Sequence, residues 1–362
     1  MKGLTCQLSL YPDYLHEEMG LPFSERFHID PIYRNDKWKE IARWVHACFG
    51  RWGCGAEDPP DSYSVTTLDS VHLVSHLFGS RITYYTNAFP DTHEYPLAEL
   101  ENLSDFSAHT DEVELRVRAF LDETKRLVDS FGPDKVSVPF YAAKVIGLDD
   151  VEVSHCPLTI GYRLLGSRLL SDLYDDPVGV EHVFREIQTM SLEMGEALRE
   201  IIGRKKPKNA CIGACAATFL GPAHFREFLL PTVVNYASGR PILWHSCGRV
   251  NGLLDEFAQL NSLCKVEIFD CREQADIDLE RSVEAFPDAA ISYMFSPPAC
   301  LTRTSDDLRA AVKSVVRRTG SSPLHLVLNL PAGADDSLVD AFFETCLESG
   351  ASQPEQSGFA FV

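Results

Sequence analysis

The sequence predicts an α/β fold in which a parallel sheet is covered by helices, and its size suits one α/β barrel. Three observations favour this fold. The second half of the chain alternates short apolar runs with helical patterns in repeated strand–helix units. The length of 362 residues fits one barrel of ordinary size with additions. Because no Gly/Ser-rich linker interrupts the chain, one domain is favoured over two.

The second half carries the clearest elements. Strands are predicted over residues 209–217, 240–244, 265–269, 289–295 and 324–330. Helices are predicted from residue 222 onward and over residues 251–260, 277–286, 305–318 and 337–347. Pro222 is a favoured first-turn residue, and Asp306 and Asp307 suit the positive end of the helix that begins at Ser305.

The first half is less regular. Helical patterns cover residues 35–49, 111–131 and 178–202, and short strand patterns cover residues 135–138 and 151–154. The sequence contains no glycine-rich phosphate loop of either common type. We therefore expect an irregular, partly helical N-terminal region in front of the regular units.

The composition limits the class of partner. The 53 acidic and 33 basic residues give a formal charge of −20, which argues against binding to nucleic acid or to an anionic membrane. A small-molecule substrate remains compatible with this charge. The eleven cysteines show no framework spacing, the start of the chain lacks a signal-peptide pattern, and no apolar run could cross a bilayer. These features predict a cytoplasmic protein with reduced thiols available for metal binding or chemistry.

One short segment carries the strongest chemical signal. His245 and Cys247 follow the apolar run Pro241–Leu243, at the predicted end of a strand that precedes a helix. Residues i and i+2 of an extended segment face the same way, so the imidazole and the thiol can converge. Zn²⁺ favours this pair of ligand types. The alternative is a buried histidine beside a cysteine that packs as a small apolar residue.

Other reactive side chains follow the ends of the predicted strands. In a parallel α/β barrel these ends meet on one rim, where the chemistry of such folds collects. The side chains at these positions are His155, Cys156, Cys215, His245, Cys247, Asp270, Cys271, Ser296 and Asn329. Each has an ordinary structural explanation. Thiols are common core residues, and an Asp at a strand end often caps the next helix. Their concentration favours a functional rim that includes His155, Cys215, His245, Cys247 and Asp270.

Four segments resemble the uroporphyrinogen decarboxylase (URO-D) superfamily, which also contains cobalamin- and coenzyme M-type methyltransferases. They are Cys156–Gly166, similar to a Pro-Phe-Thr segment ending in Gly; Thr218–Pro231, similar to a Ser-Pro-x-x-Phe-x-Glu-Phe-x-x-Pro helix; His245–Gly248, similar to a His-x-Cys-Gly turn; and Leu301–Leu308, similar to a Gly-Thr-Pro-Glu-Glu-Val element. The resemblance covers about residues 135–350. It implies a single TIM-type (β/α)8 barrel over residues 1–362, in which residues 1–134 form an N-terminal extension and the first part of the barrel.

The resemblance is closer to the zinc- and cobalamin-dependent methyltransferase branch than to the true decarboxylases. The decarboxylases carry an Arg-Gln-Ala-Gly-Arg-Tyr signature whose arginines hold substrate carboxylates, and this sequence lacks it. Arg26, Arg34 and Arg43 are the nearest basic residues, but their sequence context is unrelated. Gly221 stands where the decarboxylase helix begins with Ser.

The methyltransferase branch binds zinc through a His-x-Cys…Cys pattern, with an acidic residue at the next strand end in some members. His245 and Cys247 match the first two ligands. Asp270 matches the acidic position best, and Glu267 is a near alternative.

The last cysteine of the family pattern is missing. It is expected directly after the final strand, where this chain has Pro331-Ala332-Gly333. Cys300, Cys271 or His325 could take its place, and the sequence does not choose among them.

The resemblance implies a zinc-dependent methyl or alkyl transferase that acts on a thiol or on a corrinoid-bound methyl group. His245, Cys247 and Asp270 are the predicted metal ligands, and Asp270 could instead orient His245. His155, Cys215 and Asn329 are predicted to bind cofactor. Methylcobalamin or a separate corrinoid protein is the expected methyl donor.

Two other functions stay open. The first is a metal-free lyase similar to uroporphyrinogen decarboxylase, in which Asp270, His245 and Tyr162 would transfer protons. The second is a barrel that binds a corrinoid or a tetrapyrrole without catalysis. Zinc content, turnover after chelation, and ligand binding without turnover distinguish the three functions.

Overall fold

The computed structural model describes residues 3–92, 95–270, 277–352 and the backbone of residues 359–360. Cys271, one of the predicted rim residues, lies outside this part of the chain. The predicted TIM-type fold is confirmed: a curled parallel sheet is flanked by helices that follow its strands. Among the helices of the described residues, none is both long and apolar enough to span a membrane.

The strands are numbered along the chain. They are β1 (Leu4–Leu10), β2 (Tyr63–Ser64), β3 (Ile82–Thr83), β4 (Asp91–Thr92), β5 (Val136–Ser137), β6 (Tyr141–Val145), β7 (Leu148–His155), β8 (Asn209–Gly213), β9 (Ile242–His245), β10 (Leu263–Phe269), β11 (Ala290–Phe295), β12 (Leu324–Leu330) and β13 (Phe359–Ala360).

The helices are numbered in the same way. They are α1 (Pro12–Met19), α2 (Glu25–Ile29), α3 (Pro31–Phe49), α4 (Ser70–Leu77), α5 (Asp111–Phe131), α6 (Pro157–Leu165), α7 (Arg168–Asp175), α8 (Pro177–Ile201), α9 (Pro222–His224), α10 (Leu230–Ala237), α11 (Leu254–Phe257), α12 (Leu279–Ala285), α13 (Pro297–Thr302), α14 (Ser305–Thr319) and α15 (Ser337–Glu348).

The main sheet has the strand order β13-β1-β12-β11-β10-β9-β8-β7-β6. Its neighbours pair in parallel except β6 and β7, which form an antiparallel hairpin. The first strand therefore lies beside the last long one, with Leu4 opposite Leu324 and Leu10 opposite Leu330. This order brings the carboxyl ends of β7 to β12 to one end of the sheet, which we call the upper end.

The sheet has two different faces. The face toward the helices carries the large apolar core, with fully buried side chains such as Trp244, Phe257 and Phe295. Val151, Cys211 and Leu243 form a separate small cluster on the inner face. Alternation along the strands places polar residues on that inner face as well, and these include Lys265 and Glu267.

The amino ends of the strands form the lower end, and the β6–β7 hairpin covers it. Nζ of Lys265 donates a hydrogen bond to the carbonyl oxygen of Ile146 in the hairpin turn. The neighbouring Gly147 has a φ of 77°, and a Cβ at this position would lie 3.4 Å from Nδ1 of His325. Nδ1 of His325 is 2.7 Å from Oγ1 of Thr5. The positive φ of this turn favours a glycine, while a Cβ would make ordinary contact with His325.

Two predicted elements differ from the observed ones. The strand predicted over residues 209–217 ends at Gly213, because the chain then enters a short 3₁₀ turn over Cys215–Phe219. The helix predicted from residue 222 is interrupted by a π-helical turn over Phe225–Leu229 before α10. Pro231 explains this interruption, since proline lacks the N–H and crowds the preceding turn.

Candidate metal centre

Two neighbouring strands, β8 and β9, bring the central side chains together at the upper end. His245 is the last residue of β9, and it is paired in register with Gly213, the last residue of β8. Cys215 lies in the turn that follows β8, and Cys247 lies in the loop that follows β9. Neighbouring parallel strands that end at the same level therefore place both thiols close to the imidazole.

The three side chains converge on one point. One ligand atom from each of Cys215, His245 and Cys247 lies within 4.8 Å of the other two. Ligands held at about 2.1–2.3 Å from one zinc ion are spaced on this scale. Cys215 and His245 are half-buried and Cys247 is exposed, so the cluster opens toward solvent on one side. Two sulfurs and one nitrogen with an open side are the donor set of a catalytic zinc site.

Glu267 on β10 fixes the orientation of His245. An oxygen of its carboxylate is hydrogen-bonded to Nδ1 of His245, and the glutamate side chain is buried. This contact leaves Nε2 of His245 for the thiols. A carboxylate behind a ligating imidazole sets its tautomer and raises its basicity.

The protonation of the cluster is strongly perturbed. Burial opposes a charge on His245, but Glu267 and Cys215 outweigh it and hold the pKa of the imidazole well above its usual range. The hydrogen bond from Cys247 and the charge of His245 hold the pKa of Cys215 well below its usual range, against the effect of burial. The same hydrogen bond raises the pKa of Cys247. One thiolate therefore forms readily next to a thiol that donates to it, as expected of a site that binds soft metal ions.

His155 stands beside the cluster at the end of β7. Its ring centroid is 6.4 Å from that of His245. Oγ of Ser70 accepts a hydrogen bond from the backbone N–H of His155 and lies 2.9 Å from its Nδ1. This pattern favours donation by the hydroxyl to Nδ1, which leaves the ring proton on Nε2. Burial lowers the pKa of His155, so the ring is a neutral group that can donate from Nε2.

The ring of His155 also explains Gly213. A Cβ at residue 213 would lie 2.4 Å from Cδ2 and 2.6 Å from Nε2 of His155. A side chain at residue 213 would therefore displace the imidazole from its place next to His245.

Comparison with protein families shows the family of this chain. A family model described as uroporphyrinogen decarboxylase (URO-D) matches residues 65–335, which is well over half of the chain. The chain belongs to the uroporphyrinogen decarboxylase family. This confirms the resemblance found in the sequence. A search of curated proteins by sequence gave no match.

Solved structures resemble this URO-D family member to different degrees. A methyltransferase from Methanosarcina mazei has a TM-score of 0.63 and 16% sequence identity, over 96% of this chain and 94% of the other. A B12-independent methionine synthase from Shewanella sp. W3-18-1, in complex with selenomethionine, has a TM-score of 0.48 and 10% identity over 96% of each chain. At 16% identity the likeness to the first structure shows the fold alone, and the likeness to the second supports no conclusion.

The structure does not bring Asp270 into the cluster. Its Oδ1 accepts hydrogen bonds from the backbone N–H and from Oγ of Ser296, both at 2.8 Å, and its Oδ2 is paired with Arg303. The reason is the alternation along β10: residue 267 faces inward, and residue 270 has the opposite parity. The acidic partner of His245 is thus Glu267, the alternative to Asp270 in the sequence pattern.

The other predicted site residues lie in different surroundings. Asn329 is buried, and its Nδ2 donates to the carbonyl oxygen of Phe295 at 3.0 Å. Tyr162 is half-buried on α6, with its ring 5.0 Å from that of Phe219 and 6.5 Å from that of Tyr95. Their proposed roles in cofactor binding and proton transfer stay predictions.

Cys215 adds a second sulfur to the cluster of His245 and Cys247, at the ligand position that the sequence left open. Cys300 is buried, with its Sγ directed to the carbonyl oxygen of Phe295, and it is not part of the cluster. His325 lies at the lower end, next to Thr5. The sequence placed Cys215 on the rim but did not identify it as a metal ligand. Its position two residues after the end of β8, in the strand next to His245, is the signal that would have pointed to it.

Proposed function

We propose that this protein is a zinc-dependent methyl or alkyl transferase with a thiol acceptor. Sγ of Cys215, Nε2 of His245 and Sγ of Cys247 would hold the ion. The observation that carries the proposal is the convergence of these three ligand atoms within 4.8 Å of one another at the upper end of the barrel. Zinc in such a site lowers the pKa of a bound thiol and keeps the thiolate nucleophilic.

The residues present fit the ion by their chemistry. The hydrogen bond from Cys247 lowers the pKa of Cys215 and so favours one thiolate, and His245 is oriented by Glu267 with Nε2 toward the sulfurs. The exposed side of the cluster, where Cys247 lies, leaves access for an acceptor thiol. The neutral ring of His155, whose centroid lies 6.4 Å from that of His245, would offer an Nε2–H donor beside the cluster.

The methyl donor is the less defined part of the proposal. Methylcobalamin, free or on a corrinoid protein, follows from the methyltransferase branch that the sequence resembles. Such a donor would have to approach from the open side of the cluster, since the other side is the interior of the barrel.

The contacts of the N-terminal arginines argue against the lyase alternative. Nη1 of Arg34 donates to the carbonyl oxygens of Phe27 and His28 at 2.8 and 2.7 Å, and Nη2 donates to that of Ser64. Arg26 is exposed and pairs with Asp30 at 3.3 Å. Arg34 is therefore committed to backbone groups, and Arg26 lies on the surface, so neither is placed as a clamp for substrate carboxylates.

Metal analysis combined with ligand substitution tests the proposal. Protein purified without chelator should contain about one zinc per chain. Cys215→Ser and Cys247→Ser should each lose most of it, because a hydroxyl is a far weaker zinc ligand than a thiolate. Cys48→Ser is the matched control, since Cys48 is an exposed thiol outside the cluster.

Activity completes the test. Methyl transfer from methylcobalamin to a small thiol should stop after chelation and return when zinc is restored. A wild-type protein that takes up no zinc, or turnover that survives exhaustive chelation, would contradict the proposed function.

A further inference from the structure

A cleft of about 520 Å³ is lined by residues from two parts of the chain, 11–90 and 137–139. This volume is within the range of small-molecule sites. Tyr11, Ser64, Asp69, His72 and Phe89 are among the residues that line it. The cleft is thus large enough for a small acceptor, and its walls combine hydroxyl groups with aromatic rings.

Two connections join the cleft to the centre. Tyr11 follows β1, and the charges of His245 and Cys247 both act on the pKa of its phenol, which burial raises. Asp69 is followed directly by Ser70, which holds His155 through two hydrogen bonds of 2.9 Å. The charge of Asp69 in turn acts on the pKa of His155. The wall of the cleft therefore lies near groups of the metal centre at two places: at Tyr11, and at Asp69, whose neighbour Ser70 holds His155.

The charge of the cleft has one sign. Of the twelve described residues that line it, Asp69 is the one with a formal charge at neutral pH, and lysine and arginine do not occur among them. Burial lowers the pKa of His72, so this imidazole is neutral near pH 7. Arg163, which lies near His72, pairs with Asp91 at 3.1 Å and donates to the carbonyl oxygen of Thr92 at 3.3 Å.

Asp69 is held in place by the helix that follows it. Its side chain caps α4 and accepts a hydrogen bond from the backbone N–H of His72 at 2.9 Å. Capping fixes the direction of the carboxylate and keeps it in the wall of the cleft. An anionic head group in this cleft would face Asp69, and no cationic side chain among the described lining residues would balance it. A cationic head group would be matched.

We infer that the acceptor is a thiol carrying an ammonium group, bound with the ammonium at Asp69 and the sulfur at the metal centre. This inference rests on the proposed function. In the transfer, the acceptor thiol gives its proton to solvent, and the thiolate electron pair forms the new S–CH₃ bond. The bond between the methyl carbon and its corrinoid donor breaks, and the donor keeps that electron pair.

Three two-carbon thiols with different head groups test the inference. They are cysteamine, 2-mercaptoethanol and 2-mercaptoethanesulfonate, and their Kd values for the zinc-loaded protein are measured by calorimetry at pH 7. We expect cysteamine to bind at least tenfold more tightly than the sulfonate, with the neutral thiol between them. Asp69→Asn should bring the three affinities within about threefold of one another, because Asn keeps the helix cap but removes the charge. Asp58→Asn, a change at an exposed carboxylate outside the cleft lining, is the matched control.

The outcomes separate the two proposals. If the protein holds zinc and binds thiols, but prefers the sulfonate or keeps its preference in Asp69→Asn, the aminothiol inference is wrong and the zinc transferase proposal stands. If the protein holds no zinc, the proposed function fails and the inference fails with it. A preference for cysteamine that disappears in Asp69→Asn and persists in Asp58→Asn supports both.

Discussion

The two ends of the barrel both bury titratable side chains, but among the described residues the converging thiols and imidazole lie at the upper end. At the lower end, Lys265 donates to the backbone of Ile146, His325 is hydrogen-bonded to Thr5, and the β6–β7 hairpin lies over them. Burial lowers the pKa of Lys265 to about 8. It also holds the pKa of His325 well below its usual range. Burial thus disfavours the charged form of both groups.

At the upper end the same inward alternation has a different result. The donor atoms of Cys215, His245 and Cys247 face one another and open to solvent on one side. Burial alone therefore does not make a site. The upper end differs in three ways: two thiols and an imidazole converge there, Glu267 orients the imidazole, and one side is open to solvent. The lower end is covered by the β6–β7 hairpin.

The largest effect should come from removing one proposed zinc ligand at the upper end and then adding a thiol at another position. Cys215→Ser is expected to lower zinc affinity by more than 100-fold, since a thiolate is replaced by a weak ligand. Adding Ala332→Cys puts a thiol at the position of the family's last cysteine, and it should recover at least tenfold of the lost affinity. Zinc affinity is measured by competition with a chromophoric chelator.

Ala332→Cys alone is the control for this pair of changes. It should tighten zinc in the wild-type background as well, but less, because Cys215 already supplies a thiolate. If the double variant binds zinc no better than Cys215→Ser, residue 332 does not reach the centre, and the family position of the last ligand does not apply to this chain.

The next effect concerns Glu267, the carboxylate behind His245. Glu267→Gln keeps the shape of the side chain but removes the charge behind Nδ1 of His245. Loss of such a partner typically costs about 10- to 100-fold in metal affinity. Asp270→Asn is the contrasting change, and we expect it to leave zinc affinity within about threefold. Equal losses in the two variants would mean that Asp270 contributes to the centre in a way its contacts with Ser296 and Arg303 do not show.

The sequence predicts much of this molecule and misses the parts that depend on how strands are paired. The helix over Asp111–Phe131 and the strand over Leu324–Leu330 have the predicted bounds, because their periodicity is local. His245 and Cys247 could be paired as ligands since they are two residues apart on one segment. Cys215 as a third ligand could not be assigned, because its partner is 30 residues away and is reached only through the register of β8 with β9.

Glu267 and Asp270 show the same limit on a smaller scale. Three residues separate them, and the parity of β10 decides which faces the interior. The pairing of β10 with β9 shifts register between Leu263 and Lys265, which no local pattern reveals. The sequence could therefore name both candidates but not choose the one that faces His245.

The third effect tests the lower end through pH. The pKa of Lys265 is about 8 in the fold and about 10.4 in an unfolded chain. Between these values the unfolded state binds more protons, so the free energy of unfolding should rise with pH from about 8 to 10, by up to about 1.4 kcal/mol per pH unit. Lys265→Met should lack this rise, as measured by urea unfolding at several pH values.

Other groups titrate in the same window but are common to both proteins, so the difference between them isolates Lys265. If the free energy of unfolding changes with pH in the same way in both proteins, the amine of Lys265 is not buried at the lower end. Zinc affinity at pH 7 should change less in Lys265→Met than in Glu267→Gln. Glu267 is hydrogen-bonded to the imidazole of His245, whereas Lys265 is hydrogen-bonded to the backbone of Ile146.

The smallest effect separates the two ends most directly. Gly147→Ala puts a Cβ at a φ of 77°, 3.4 Å from Nδ1 of His325 and 3.6 Å from Nζ of Lys265. The backbone strain should lower the free energy of unfolding by about 1–2 kcal/mol. Gly132→Ala is a matched control, since its φ is 88° and a Cβ there has no heavy atom within 4 Å. If the hairpin only closes the barrel, Gly147→Ala keeps full zinc content and methyl transfer while its urea midpoint falls. If zinc affinity falls together with stability, the hairpin and the metal centre are coupled through the barrel interior, and the contrast between the two ends is wrong.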